Sequence, residues 1–208
     1  MKIIVFEGLD KSGKYSQSEL LKKNLEELGY KVAKSEFHRY DTPTGQLIQK
    51  WLYGEYDVDQ TTIELIMAAD KYAQVPWMNS LRKEGYDFLI LDRYYTSQIV
   101  YGRASGGDVD WIDGLIGDLP AYHLQFFLDI SPEESMRRKG KHGENDRYES
   151  DLTLLKKVRE WYLHEVEFQG DIKLINAERS VEQIENEVLL FMKSWLELNQ
   201  RRDANVSC

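Results

Sequence analysis

The sequence predicts an α/β fold of three layers, a five-stranded parallel sheet with helices on both faces. Three observations carry the prediction. Short apolar runs of strand length alternate with longer stretches of helical spacing; no Pro/Gly/Ser-rich linker, repeat or low-complexity tract divides the chain; and a glycine-punctuated turn separates the first strand from the first helix. A length of 208 residues suits one well-buried core, so residues 1–208 are read as a single domain.

The elements follow in order. Ile3-Ile4-Val5-Phe6 reads as a buried strand, followed by a helix over about 14–28. Leu20, Leu21, Leu25 and Leu28 recur there at helical spacing, and Gly29 is a stop. Tyr30 to Phe37 reads as a second strand. Leu47, Ile48, Trp51 and Leu52 share a helical face, and a further helical segment carries Ile63 to Ala69 before Pro76 bends or interrupts it. Tyr86 to Leu91 is a continuous apolar strand with Asp92 at its end. Leu124 to Ile130 is another strand, and Ser131-Pro132-Glu133-Glu134 combines cap, first-turn proline and early acids as a helix start. Amphipathic helices over about 151–168 and 181–198 flank a last strand, Ile172 to Ile175.

Composition narrows the function. Hydrophobic residues make up 42% and charged residues 30%, an ordinary globular balance. A net charge of −9 argues against a protein that coats nucleic acid, yet leaves room for a small anionic ligand held by a local basic cluster. No apolar run reaches bilayer length, and Met1-Lys2 does not open a signal sequence, so no membrane partner is expected. The single cysteine, Cys208, allows no intrachain disulfide, and a reducing cytoplasmic setting fits.

In parallel sheets of this kind, ligands gather beyond the carboxyl ends of the strands. That places Gly8-Leu9-Asp10-Lys11-Ser12-Gly13-Lys14 and Asp92-Arg93 at the expected site. The first stretch fits G-x-x-x-x-G-K between a strand and a helix: glycines let backbone N–H groups curl around a triphosphate, and Lys14 reaches its β- and γ-phosphates. ATP is the expected ligand of Gly8, Asp10, Lys11, Ser12, Gly13, Lys14, Tyr15 and Ser16. One position departs from the pattern. Tyr15 stands where a Ser or Thr hydroxyl would meet Mg²⁺, and Ser16 leaves the helix about 100° away.

The opening Phe6-Glu7-Gly8-Leu9-Asp10-Lys11-Ser12-Gly13-Lys14, with Gln17, resembles that of thymidylate kinases, viral or phage members included. Asp92-Arg93-Tyr94 with Ser97, Gln98, Tyr101 and Gly102 resembles the family's D-R-[YH] signature and the helix after it. Asn145-Asp146-Arg147-Tyr148-Glu149, after Arg137, Arg138, Lys139 and Lys141, resembles its mobile lid, here about 137–150. Asn176 to Glu182 resembles the D-A-x-x-S-x-E stretch near the adenine end. The resemblance implies a P-loop NTPase-type fold, a homodimer, and phosphoryl transfer from ATP to a pyrimidine deoxynucleoside monophosphate, most simply dTMP to dTDP, with Mg²⁺.

The roles it implies are residue by residue. Lys14, Asp92, Arg93, Lys11 and Arg147 carry catalysis. Arg93 grips the acceptor phosphate with a guanidinium fork, and Asp92 orients Arg93 and binds Mg²⁺ through water. Asp10 approaches the sugar 3′-hydroxyl, Lys11 acts on the transferring phosphate and Arg147 closes over ATP. Tyr148 touches the sugar, while Tyr101 packs against it and disfavours a 2′-hydroxyl. Arg39, Met67, Lys71, Ser97 and Gln98 complete the acceptor site.

The match changes on the acceptor side. Met67-Ala68-Ala69-Asp70-Lys71 stands for F-x-A-[DN]-R, exchanging a flat ring for a soft thioether and a guanidinium fork for a point charge. Arg39, ahead of Thr42-Pro43-Thr44-Gly45, sits one position from its usual place. Three alternatives stay open: a kinase for a 5-modified dUMP, a broader deoxynucleotide or deoxynucleoside kinase, and a catalytically silent nucleotide-binding protein. Asp92-Arg93 also suits a structural ion pair, and the basic run Arg137–Lys141 suits a solvated helix face.

Overall fold

The computed structural model describes residues 1–138 and 146–206, with side chains described through Asn199. Five strands form one sheet: β1 (Lys2–Glu7), β2 (Val32–Glu36), β3 (Phe88–Asp92), β4 (Leu124–Asp129) and β5 (Ile172–Asn176). Their order is β2-β3-β1-β4-β5, and every neighbouring pair is parallel. The helices are α1 (Lys14–Glu27), α2 (Pro43–Leu52), α3 (Gln60–Ala73), α4 (Val75–Lys83), α5 (Tyr95–Ala104), α6 (Val109–Ile116), α7 (Pro132–Arg137), α8 (Leu152–Phe168) and α9 (Val181–Val206). The three-layer α/β architecture is the one expected.

Strand periodicity divides the core between the two faces. Ile4, Phe6, Phe88 and Ile90 pack with Leu21 and Leu25 of α1, whereas Ile3, Val5, Leu89 and Leu91 pack with Met78 and Leu81 of α4. Ile3 to Phe6 are fully buried, each side chain adding ~1.5–3 kcal/mol by leaving water. A strand buried on both faces reads as an unbroken apolar run, which is why β1 and β3 stand out in the sequence. Edge strands β2 and β5 are buried on one side only and carry weaker patterns.

Boundaries differ where a helix end claims residues that the apolar pattern assigned to a strand. Gly29 (φ +90°) closes α1, and Tyr30 N–H donates back to the Leu25 carbonyl, so β2 starts at Val32 rather than Tyr30. The same happens after α4: Tyr86 N–H bonds the Leu81 carbonyl, and β3 starts at Phe88. Asp92 is the last residue of β3, not the first beyond it. Of the two outcomes expected at Pro76, a bend or an interruption, the structure shows the interruption: α3 ends at Ala73, and Pro76 occupies the first turn of α4, where its missing N–H costs nothing. Ser131 caps α7 as its sequence foretold, and α9 runs on to Val206, beyond the expected end at Leu198. Within the expected lid, Lys139, Lys141 and Asn145 lie outside the described residues, as does Cys208. No described helix is long and apolar enough to cross a membrane.

Candidate active site

The site forms where β1 and β3 end. Their register sets Phe6 beside Asp92, so the loop after β1 and the turn after β3 leave the sheet side by side. Glu7 ties them together. Fully buried, it accepts from the Tyr94 and Ser97 N–H groups (2.8 and 3.2 Å) through Oε1 and from the Tyr162 hydroxyl (2.8 Å) through Oε2. One carboxylate therefore anchors the start of α5 to β1.

Gly8 cannot be replaced without strain: its φ is +146°, and a Cβ would stand 2.5 Å from the Leu128 carbonyl oxygen. The loop ends at Gly13, the N-cap of α1. Lys14 is buried and crosses the loop, its Nζ donating to the Gly8 and Leu9 carbonyls at 3.2 and 2.9 Å. Burial and repulsion from Arg93 push its pKa down, and Asp10 opposes them. Ser12 Oγ is buried and has no hydrogen-bond partner among the described residues. A helix N-terminus, a buried lysine and an unsatisfied hydroxyl on one loop fit a polyphosphate. Asn176 to Ser180 lie alongside: Arg138 donates to both the Lys11 and Ala177 carbonyls.

Arg93 occupies the left-handed region at φ +64°, with its N–H on the Phe6 carbonyl at 2.9 Å. Such a conformation costs a non-glycine residue on the order of 1–3 kcal/mol and marks a position held for a purpose. Its Nη2 donates to Asp10 at 2.6 Å, while its Nη1 is buried without a partner among the described residues. The Tyr101 hydroxyl reaches Asp10 at 3.4 Å, and its ring lies 5.4 Å from the guanidinium. Burial raises the Asp10 pKa, but Arg93, Lys14 and Lys11 outweigh it and hold the carboxyl below its ordinary value. Asp92 is buried and pushed up, with Lys14 and Arg93 opposing.

Asp10, Arg93, Ser97, Gln98, Tyr101, Met67 and Tyr148 share the lining of one cavity. Tyr148 packs between Tyr101 and Trp51, with ring centroids 4.9 and 5.3 Å away. Several expected acceptor or ATP residues lie outside that lining. Arg39 turns outward onto Asp41 (2.9 and 3.0 Å) and borders a separate open groove with Tyr15 and Trp77. Lys71 sits beneath the cavity, its Nζ donating to Gln98 Oε1 at 2.9 Å and to the Met67 carbonyl at 3.3 Å. Burial lowers its pKa to about 8. Arg147 reaches Asp57 at 3.3 Å and covers Trp51 at 4.5 Å. Tyr15 is half exposed with Lys34 over its ring, Ser16 is exposed, and Lys11 meets Glu149 at 3.6 Å.

The cavity also takes in His38, Tyr40, Glu64 and Asp146, to which motif reasoning gave no role. Glu64 shares a helical face with Met67 and Lys71, and Tyr40 follows Arg39, so spacing could have found both. Asp146 is raised to about 6, by burial and then by Asp10. Asp70, fully buried, gathers the loop ahead of α2: it accepts from Arg39 N–H and the Thr42 and Thr44 hydroxyls (3.1, 3.0 and 2.8 Å), with His38 Nδ1 at 3.2 Å.

Burial and Lys71 push His38 down to about 4, despite its bond to Asp70. A histidine depressed in the folded state binds its proton earlier when unfolded, so its contribution is lost as pH falls from 6.5 toward 4. Wild type is expected to lose about 2 kcal/mol more than His38→Asn between pH 7 and pH 5. Urea unfolding at the two pH values checks this, and parallel losses in the two proteins would contradict it.

Comparisons with known proteins agree with this geometry. A family model described as thymidylate kinase matches residues 6–188. The thymidylate kinase of Arabidopsis thaliana is 34% identical over 188 residues, covering 89% of this chain and 68% of the plant protein. That of Dictyostelium discoideum is 32% identical over 186 residues, covering 89% of this chain and 82% of its own length. A probable thymidylate kinase of Thermococcus kodakarensis is 31% identical over 201 residues, covering 93% and 98%. The solved structure of Candida albicans thymidylate kinase superposes with a TM-score of 0.80 at 26% identity, covering 93% of this chain and 91% of that one.

Proposed function

This chain belongs to the thymidylate kinase family, and we propose that it transfers the γ-phosphoryl group of ATP to a pyrimidine deoxynucleoside monophosphate, dTMP in the first instance. The observation that carries the acceptor assignment is Arg93. Its Nη2 is committed to Asp10 of the phosphate loop, and its Nη1 is buried and unpartnered among the described residues. A phosphate oxygen would satisfy that donor and match the guanidinium charge, because a buried donor without an acceptor is costly.

In the reaction, an acceptor phosphate oxygen attacks the γ-phosphorus, and the bond to the β,γ-bridging oxygen breaks to release ADP. The protein's part is alignment and charge stabilisation. The β1–α1 loop amides and Lys14 hold the donor. Arg93 holds the acceptor phosphate, and Tyr101 with Tyr148 walls the sugar. Mg²⁺ would neutralise donor charge, and Asp92 would be the residue to hold it. The relatives named above come from cellular organisms, so a viral source receives no support from them. A homodimer is proposed from family resemblance alone, and a monomer mass in sedimentation would contradict it.

A 5-modified dUMP is the second reading, favoured by Met67 in the cavity wall. Mg²⁺- and ATP-dependent ADP formation across dTMP, dUMP, 5-hydroxymethyl-dUMP, dCMP, dGMP and thymidine tests both readings. Turnover of dTMP or a 5-substituted relative is expected. Turnover of thymidine alone would move the acceptor to a nucleoside, and none with any acceptor by ATP-binding protein would leave a silent binder.

Tyr15 supplies a separate test. Its ring lies toward Lys34 and not into the phosphate loop. Tyr15→Thr is expected to lower the Mg²⁺ concentration for half-maximal rate about fivefold, the worth of roughly 1 kcal/mol from one hydroxyl. An unchanged Mg²⁺ titration would show that the hydroxyl is not missed.

A further inference from the structure

The cavity lined by Asp10 and Arg93 also holds a carboxylate that the reaction does not use. Glu64 lies on α3 one turn before Met67, so both face the same wall. It is buried, at 2% exposure. Its Oε1 accepts from Gln60 Nε2 at 2.8 Å, whereas its Oε2 is buried with no hydrogen-bond partner among the described residues. Burial raises its pKa, with the amides of Gln60 and Gln98 and the Lys71 ammonium opposing in part.

The helix opposite leaves room for this carboxylate. A Cβ on Gly102 would stand 2.8 Å from Glu64 Oε1 and 2.5 Å from Ile112 Cδ1. Gln98, one turn earlier on α5, donates to the Glu64 backbone carbonyl at 2.9 Å, and its Oε1 is taken by Lys71. Gln98 Oε1 is therefore occupied, whereas Glu64 Oε2 is an open acceptor in the cavity lining. It is separate from the phosphate end, where Arg93, Asp10 and Lys14 balance one another.

We infer that Glu64 is a specificity-determining residue of the acceptor pocket, its unpartnered oxygen taking a hydrogen bond from an N–H or O–H donor on the base of the bound nucleotide. The inference rests on the proposed function, because it takes a pyrimidine nucleotide as the occupant. Three donors share this chemistry: the ring N3–H of a uracil-type base, the hydroxyl of a 5-hydroxymethyl group and the amine of cytosine. A site built to satisfy a buried polar group rejects an analogue lacking the donor, because the group is then left unpaired.

The test measures binding by calorimetry and kcat/KM in parallel, for wild type, Glu64→Gln and Glu64→Leu. The ligands are dTMP, N3-methyl-dTMP, 5-hydroxymethyl-dUMP and dCMP, with thermal melts to confirm folding. In wild type, one donor-bearing ligand is expected to exceed its donor-lacking counterpart by at least about tenfold, with that ratio falling toward one in Glu64→Leu. The isosteric Glu64→Gln, which keeps an oxygen acceptor without the charge, is expected to fall between. The ligand that loses its advantage identifies the donor. A uniform change for every ligand, or none, would overturn the inference while leaving the kinase reading intact. Ligand-dependent binding without phosphorylation of any acceptor would uphold Glu64 and defeat the proposed reaction instead.

Discussion

Arg93→Ala is expected to lower kcat/KM for dTMP about 10³-fold, and Arg93→Lys about 10²-fold. The alanine variant removes both the fixed positive charge and the donor that waits beside the phosphate loop. Lysine restores charge but not the fork, so it cannot hold Asp10 and a phosphate oxygen together. The sequence suited Asp92–Arg93 as a structural ion pair; the guanidinium instead meets Asp10 at 2.6 Å, and the opposing idea is that this pair is only structural. The two differ in what they disturb. A structural pair would show its loss in thermal stability, with dTMP affinity in the folded variant unchanged. A phosphate-gripping arginine would show it in dTMP affinity and rate, with ATP affinity changed far less. Asp10→Asn, which leaves Arg93 present but less firmly oriented, is expected to give the smaller loss.

The second large effect concerns folding. Glu7→Leu is expected to destabilise the protein by about 4 kcal/mol, because it strands two backbone N–H groups and the Tyr162 hydroxyl in the interior. Glu7→Gln, which retains an oxygen for the two N–H groups and turns an N–H toward the Tyr162 hydroxyl, is expected to cost about 1–2 kcal/mol. Both losses are readable in denaturant unfolding. Because the same carboxylate fixes the start of α5, the residual folded Glu7→Leu protein should also bind dTMP more weakly. A loss under about 1 kcal/mol for Glu7→Leu would mean that the donors find other partners and that Glu7 does not order the turn.

Sequence and structure meet most closely where local chemistry leaves little choice. A strand buried on both faces must be apolar throughout, so β1 and β3 were legible from their runs. The phosphate loop was legible because a left-handed Gly8 pressed against Leu128 permits only glycine. What local pattern could not supply was direction. Arg39 stands near the right place in the chain, yet Asp41, two residues on, draws it outward. Lys71 is on the cavity's helix but lies beneath its floor, because Gln98 and the Met67 carbonyl receive it there. Glu64 escaped notice, and Asp146 was read only as part of the lid-like stretch, for the opposite reason: an acidic residue between apolar or basic neighbours ordinarily faces solvent, yet both line the cavity. Tyr15 was legible as a departure, and its side chain leaves the loop toward Lys34.

The most direct measurement follows the label from ATP carrying a radioactive γ-phosphate, with Mg²⁺ and dTMP, through product separation. Label is expected in dTDP, strongly reduced by Lys14→Met and by Arg93→Ala. Label that stays in ATP or appears only as inorganic phosphate, across dTMP and every other pyrimidine monophosphate tried with ATP-binding protein, would contradict the proposed transfer.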